Sequence, residues 1–276
     1  VGFGALFGTA ACEIYGRPVI YQFTIPISLI FTIVGGTATN FTTIAIARTF
    51  AGLASGPCLT VGTGVLNDVW DVSLEKTGTM FAFFYVLTII WSTQTAPMIS
   101  AALMTYHTWQ WTFWVSVIMI ATVLVCSIFL PETYHPQIKR ARAQKLGLQV
   151  PSRGNSLKIF LTAVGRPLHM ILVESIVSPT GLACAVNQSV VFVYYVAYGI
   201  LFEETYGFTQ YQVCMAFGPL LVGGTVLAIP VLALFGKLTY QKAREQAMQH
   251  GETVKPENRL YPALLSSITL PVSLFW

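Results

Sequence analysis

Apolar runs of roughly twenty residues recur along this chain, and its basic residues fall almost entirely in every second gap between them. A run of that length matches the ~20 residues a helix needs to cross the hydrocarbon core of a bilayer. The chain therefore reads as an integral membrane protein, and the charges give its orientation. Arg17, Lys76, the seven basic residues from Lys139 to Arg166 and the five from Lys237 to Arg259 occupy alternate loops. The intervening loops, 36–40, 105–109 and 203–210, hold no Lys or Arg. Basic loops lie in the cytoplasm by the positive-inside rule. Arg48 is the one basic residue inside an apolar segment.

Composition agrees and excludes several classes. At 54% apolar and 9% charged residues, lipid must solvate much of the surface. The net charge of +4 sits in loops rather than on a continuous face, which speaks for topology and anionic-lipid contact and against nucleic acid. Cys12, Cys58, Cys126, Cys184 and Cys214 lack CxxC spacing, so neither a disulfide framework nor a zinc site is supported. No GxSxG, HExxH, P-loop or dinucleotide-binding motif occurs, so no enzyme, catalytic residue, metal or cofactor is expected.

The expected architecture is all-α, a multi-pass bundle with spans near 18–35, 41–66, 78–104, 110–130, 168–201 and 211–236, and another from 260. It divides into three parts: an N-terminal transmembrane bundle at 1–130, a basic cytoplasmic linker at 131–167, and a partial C-terminal bundle at 168–276. Val1 opens inside an apolar run too short to span, and Trp276 closes inside another, so helices are expected to be missing at both ends. Pro26, Pro97, Pro179 and Pro230 are expected kink sites. In the linker, "IKRARAQKL" has helical character and 157–164 suits an amphipathic helix on the inner surface. A second cytoplasmic helix is expected from Lys237 to His250, with Gly251 in its capping position.

Polar residues within spans are the candidates for function. A guanidinium facing lipid is costly, so Arg48 should face the bundle interior or a wet cavity, there either fixing packing through carbonyls or coupling transport. Gly52 and Gly56 come after it as a small-xxx-small face that permits close helix approach. Glu174, about six residues into its span, could meet a cation from the cytoplasm or cap a partner helix. Gln94, Asn187 and Gln188 lie near mid-membrane, as interhelical hydrogen-bond partners or as part of a substrate cavity. Trp91, Tyr194 and Tyr195 could line such a cavity or serve as packing and interfacial anchors.

Taken in order, several motifs resemble the major facilitator superfamily, in particular its fungal drug:proton antiporters, the multidrug and polyamine exporters. "EIYGRPV" at 13–19 is similar to the gate motif between the second and third helices, which assigns it to Glu13, Gly16 and Arg17; Pro18 stands where the family usually has a second basic residue. "RTFAGLASG" at 48–56 resembles the fourth-helix motif whose Arg is tied to proton coupling, and Asp68 matches the acidic residue at that helix's inner end. "STQTAPMISA" keeps only Pro97 of the glycine- and proline-rich antiporter motif. "WQWTFW" at 109–114, "LPETYHP" at 130–136, Glu174, "ETYGF" at 204–208 and "KPENRL" at 255–260 resemble later landmarks in the right order.

The resemblance implies a partial major facilitator fold, from about helix two to part of helix nine. It implies a monomeric secondary transporter that exports lipophilic or cationic small molecules by proton antiport and alternating access. Its partners would be the small-molecule substrate, protons and the bilayer, in the plasma membrane or else the vacuolar membrane. A uniporter or an inactive truncated relic is the alternative. A seven-helix receptor fits the segment count but not the basic linker or the ordered landmarks.

Overall fold

In lipid a backbone must satisfy its own hydrogen bonds, which makes helix the outcome for long apolar runs. The computed structural model describes residues 1–69, 75–147, 156–228, 230, 234, 267–269 and 271–272, and its regular elements there are all helical. Helices α1 (Gly2–Tyr15), α2 (Arg17–Gly36), α3 (Phe41–Val69), α4 (Glu75–Tyr106) and α5 (Gln110–Ile128) are followed by α6 (His135–Lys145). Next come α7 (Ser156–Val173), α8 (Val177–Glu204), and the short α9 (Gln210–Met215) and α10 (Gly218–Gly223), the last continued by a π-helical turn at Gly224–Ala228. Among the described residues, Arg17–Gly36, Phe41–Leu66, Gln110–Ile128 and Val177–Glu204 are long and apolar enough to cross a membrane. The expected cytoplasmic helix at 237–250 lies outside the described residues, as does most of the segment from 260.

Two differences from the expected spans have local causes. The segment 168–201 is not one helix. Helix α7 runs from Ser156 through Pro167 to Val173, absorbing the amphipathic piece at 157–164, and the chain breaks at 174–176 before α8. The break puts Pro179 in the first turn of α8, where a missing N–H leaves no intrahelical bond unmade. Likewise 211–236 divides after Met215, because Pro219 prefers a first turn and Gly223 and Gly224 weaken the α-helix at its far end. Pro26, Pro57 and Pro97 by contrast lie inside continuous helices.

The chain forms two compact units, one of residues 1–71 with 99–213 and one of 72–98 with 214–276. Within the first, α3 packs on both α1 and α2, α2 on α5, and α1 on α7. Small residues set these contacts. A Cβ on Gly4 would collide with the backbone of Leu53, one on Gly8 with Pro57, and one on Gly56 with the backbones of Val1 and Ala5. The small face expected on α3 thus meets a matching Gly4/Gly8 face on α1, so the two backbones nearly touch. Gly35 and Gly36 receive Phe113 of α5 in the same way. Phe7 of α1 stacks on Phe160 of α7 with ring centroids 6.3 Å apart. Cys12, Ile20 and Val61 are buried together, with Ala11, Tyr21 and Val65 packed against them. In the second unit, Met98 lies beside Gly218 at the start of α10.

Candidate functional site

A single residue, Gly16, joins α1 to α2, so both helices end at one point on the side carrying the basic loops. Its φ of 94° lies in the region that favours glycine, and a Cβ there would also strike the Glu132 carboxylate. Its N–H donates to the Cys12 carbonyl at 3.0 Å, closing α1. Helix α2 begins at once with Arg17 and Pro18 and has no cap from a residue of its own. A cation in a first turn opposes the helix dipole, so this end needs negative charge from elsewhere.

Two carboxylates supply it. Arg17 Nη2 pairs with Asp68 Oδ2 at 2.6 Å, and the two side chains are only 11% and 19% exposed. Asp68 lies in the last turn of α3, where an acid also opposes the dipole, so each charge is stabilised chiefly by the other. Arg17 Nη1 donates to the Val61 carbonyl at 3.1 Å. Glu132, from the strand of chain after α5, accepts the Arg17 backbone N–H at 3.2 Å and the Tyr134 backbone N–H at 3.0 Å through one oxygen, Oε1. That carboxylate is the missing cap of α2. The guanidinium also lies 5.8 Å from the centre of the Tyr134 ring. Burial, with the Glu13 charge adding to it, pushes the Tyr134 phenol above its usual range, so it stays protonated at neutral pH. Gly64 leaves room for the guanidinium, since a Cβ there would overlap Nη1.

The cluster is tight without being saturated. Arg17 Nε and Thr133 Oγ1 are buried and have no hydrogen-bond partner among the described residues. An unmet buried donor of this kind costs ~1–3 kcal/mol, which lowers the barrier to separating the parts.

Of the residues expected in the gate motif, Gly16 and Arg17 stand at its centre and Glu13 lies exposed beside it. Asp68, expected with Arg48 in proton coupling, pairs with Arg17 in this cluster. Twenty residues of α3 separate it from Arg48, ~30 Å along the axis. Arg48, expected to face the bundle interior or a wet cavity, is exposed, and its guanidinium rests 4.9 Å from the Phe113 ring centre. Phe113 fills the space left by Gly35 and Gly36, which makes it a platform fixed by α2.

Of the expected substrate-cavity residues, Glu174, Asn187 and Gln188 belong to the first unit and Gln94 to the second. Glu174 is exposed at the break between α7 and α8, not inside a helix, and Asn187 and Gln188 are exposed on α8. Thirteen residues separate Glu174 from Asn187, ~20 Å if helical. Gln94 belongs to the second unit, where its Oε1 is buried without a partner among the described residues. Pro97 is one turn further along α4, within the same unit. What α8 does assemble is a ladder of rings. Tyr194, Tyr198 and Phe202 recur at four-residue spacing with centroids 4.7 Å and 5.0 Å apart, and Tyr206 and Phe208 close on Phe202.

Sequence reasoning placed Glu132 in the "LPETYHP" landmark without giving it a role, and missed Gly64. The signal for Glu132 was the uncapped Gly-Arg-Pro start of α2. Nothing local marked Gly64.

Residues 1–276 match the family described as Major Facilitator Superfamily. The chain is similar to the MFS-type transporter kojT of Aspergillus flavus, 31% identical over 100% of this chain and 50% of the relative. It is 28% identical to the MFS-type transporter hepF of Aspergillus oryzae over 100% of this chain and 57% of the relative. Polyamine transporter 4 of Saccharomyces cerevisiae is 25% identical over 100% of this chain and 46% of its own length. The chain thus spans about half the length of the curated relatives it matches. No solved structure matches.

Proposed function

This chain belongs to the major facilitator superfamily, and from that premise we propose that it serves in a secondary transporter that exports lipophilic or cationic small molecules in exchange for protons. The observation that carries this reading is the ion pair between Arg17 and Asp68, which ties the inner ends of α2 and α3. Alternating access requires an inner closure that forms and releases. A pair in which each charge opposes its own helix dipole, with Arg17 Nε and Thr133 Oγ1 unmet, is suited to both. Glu132 couples the closure to the linker.

Several features support the choice of cargo. The yeast relative is named a polyamine transporter. The ring ladder on α8, with Glu203 and Glu204 at its end, offers aromatic faces and negative charge to a cation. Gln94, Asn187, Gln188 and Glu174 remain cavity candidates on this reading, and Arg48 modulates a proton-binding carboxylate. The protein works as a monomer in the plasma membrane.

The test is efflux of labelled spermidine and of a lipophilic cationic dye from cells expressing the full-length protein, with and without a proton gradient. Gradient-driven efflux that Arg48→Ala abolishes at unchanged surface level is expected. Flux indifferent to both the gradient and Arg48→Ala would remove the coupling claim. It would favour a uniporter, the reading suggested by "STQTAPMISA" retaining only Pro97 of the antiporter motif.

A further inference from the structure

Helix α6 carries Lys139, Arg140, Arg142 and Lys145 within eleven residues and no acidic side chain. At 3.6 residues per turn, Lys139, Arg142 and Lys145 share one face, and Leu146, just past the helix end, falls among them. All four are exposed, Leu146 to 74%, while Arg140 on the opposite side is partly covered. Among the described residues the one ion pair is that of Arg17 with Asp68, so no carboxylate there neutralises this face. Arg142 and Lys145 sit in the last turn, where they complement the dipole and hold the helix in shape without a partner.

Position decides what this face can meet. Helix α6 starts seven residues after the last residue of α5, and at ~3.6 Å per residue its start lies within about 25 Å of that span's inner end. Its N-terminus is held closer by bonds already described. Tyr134 caps α6, shares Glu132 with the backbone of Arg17 and lies against the Arg17 guanidinium. A cationic helix tied there stays beside the membrane surface, whose negative potential extends over a Debye length of ~8 Å.

We infer that the Lys139, Arg142, Lys145 and Leu146 face of α6 docks on the cytoplasmic leaflet and binds anionic phospholipid headgroups. The cations take the phosphates and carboxylates, and Leu146 enters the boundary beneath them, a place that a soluble polyanion would not provide. RNA or an acidic protein would have to be recruited from solution, whereas the bilayer is permanently at hand. This assignment does not depend on substrate or proton coupling, so it stands or falls separately from the transport reading.

The experiment is amide hydrogen exchange over residues 135–146 in the full-length protein, reconstituted in phosphatidylcholine vesicles with and without phosphatidylserine as a minor component. Phosphatidylserine should slow exchange by about fivefold for each cation engaged, and high salt should reverse the effect. The triple variant Lys139→Gln, Arg142→Gln and Lys145→Gln should lose the difference, with exchange in α2 reporting that its fold is intact. Arg142→Gln alone should retain part of the difference, and Arg140→Gln nearly all of it. Equal exchange in the two vesicles overturns the inference. So does slowing by added RNA or an acidic peptide where phosphatidylserine has no effect.

Discussion

Helices α3 and α8 are both apolar enough to cross a membrane and both carry small residues at four-residue spacing, Gly52 and Gly56 in one and Gly181, Ala185 and Ser189 in the other. Their surroundings differ completely. Gly56 is pressed against the backbone of α1, whereas a Cβ on Gly181 or Gly199 would meet nothing within 4 Å, and α8 has no buried residue. A small face is therefore only half of a contact. It becomes an interface where another helix brings glycines at the same heights, as Gly4 and Gly8 do for α3.

The contrast can be broken most forcefully at that interface. Gly4→Leu should destabilise the protein by about 3 kcal/mol or more, because the obstacle is backbone that cannot move aside. Gly181→Leu should stay within about 0.5 kcal/mol. Melting in detergent, followed by tryptophan fluorescence, measures both; similar losses would refute the contrast.

Next in size is the charge pair. Asp68→Asn should cost about 2 kcal/mol, below the range for fully buried pairs because both side chains keep some exposure. Adding Arg17→Gln should cost less than the two single losses combined, with a coupling of about 1 kcal/mol in a double-mutant cycle. Strict additivity would mean that the pair does not act as a unit. Gly64→Ala should lose about 1 kcal/mol by displacing the guanidinium, and that loss should vanish in an Arg17→Gln background.

The smallest effect concerns Tyr134. With its phenol raised by burial, the neutral form belongs to the folded state. The stability it gives is full below the ordinary tyrosine value of about 10 and falls as pH climbs through the raised one. Tyr134→Phe should keep the ring against Arg17, leave neutral-pH stability within about 0.5 kcal/mol, and flatten the alkaline decline. A pH-dependent loss near neutrality would contradict this.

Legibility in the sequence divides along the same line. The spans 18–35, 41–66 and 110–130 fall within a few residues of α2, α3 and α5, since apolar length fixes them even where one charge, Arg48, interrupts the run. The interruption at 174–176 was hidden because hydropathy continues across it, and only the first-turn preference of Pro179 accounts for it. In the site, Gly16, Arg17 and Asp68 stood out as motif residues, but their pairing depends on α2 and α3 ending at one level. Glu132 was visible within "LPETYHP", but its role was not, because it caps a helix 115 residues away. Arg48 was expected in the bundle interior or a wet cavity on the cost of a lipid-facing charge, and its contact with the Phe113 ring could not be read from that argument.

The one-residue joint at Gly16 has a mechanical consequence. A connection without slack transmits rotation rather than absorbing it, and α2 extends twenty residues beyond the joint, a rod of ~30 Å. A change of about ten degrees in the direction of α2 at Gly16 would swing its far tip through about 5 Å, with the ion pair to Asp68 acting close to the fulcrum.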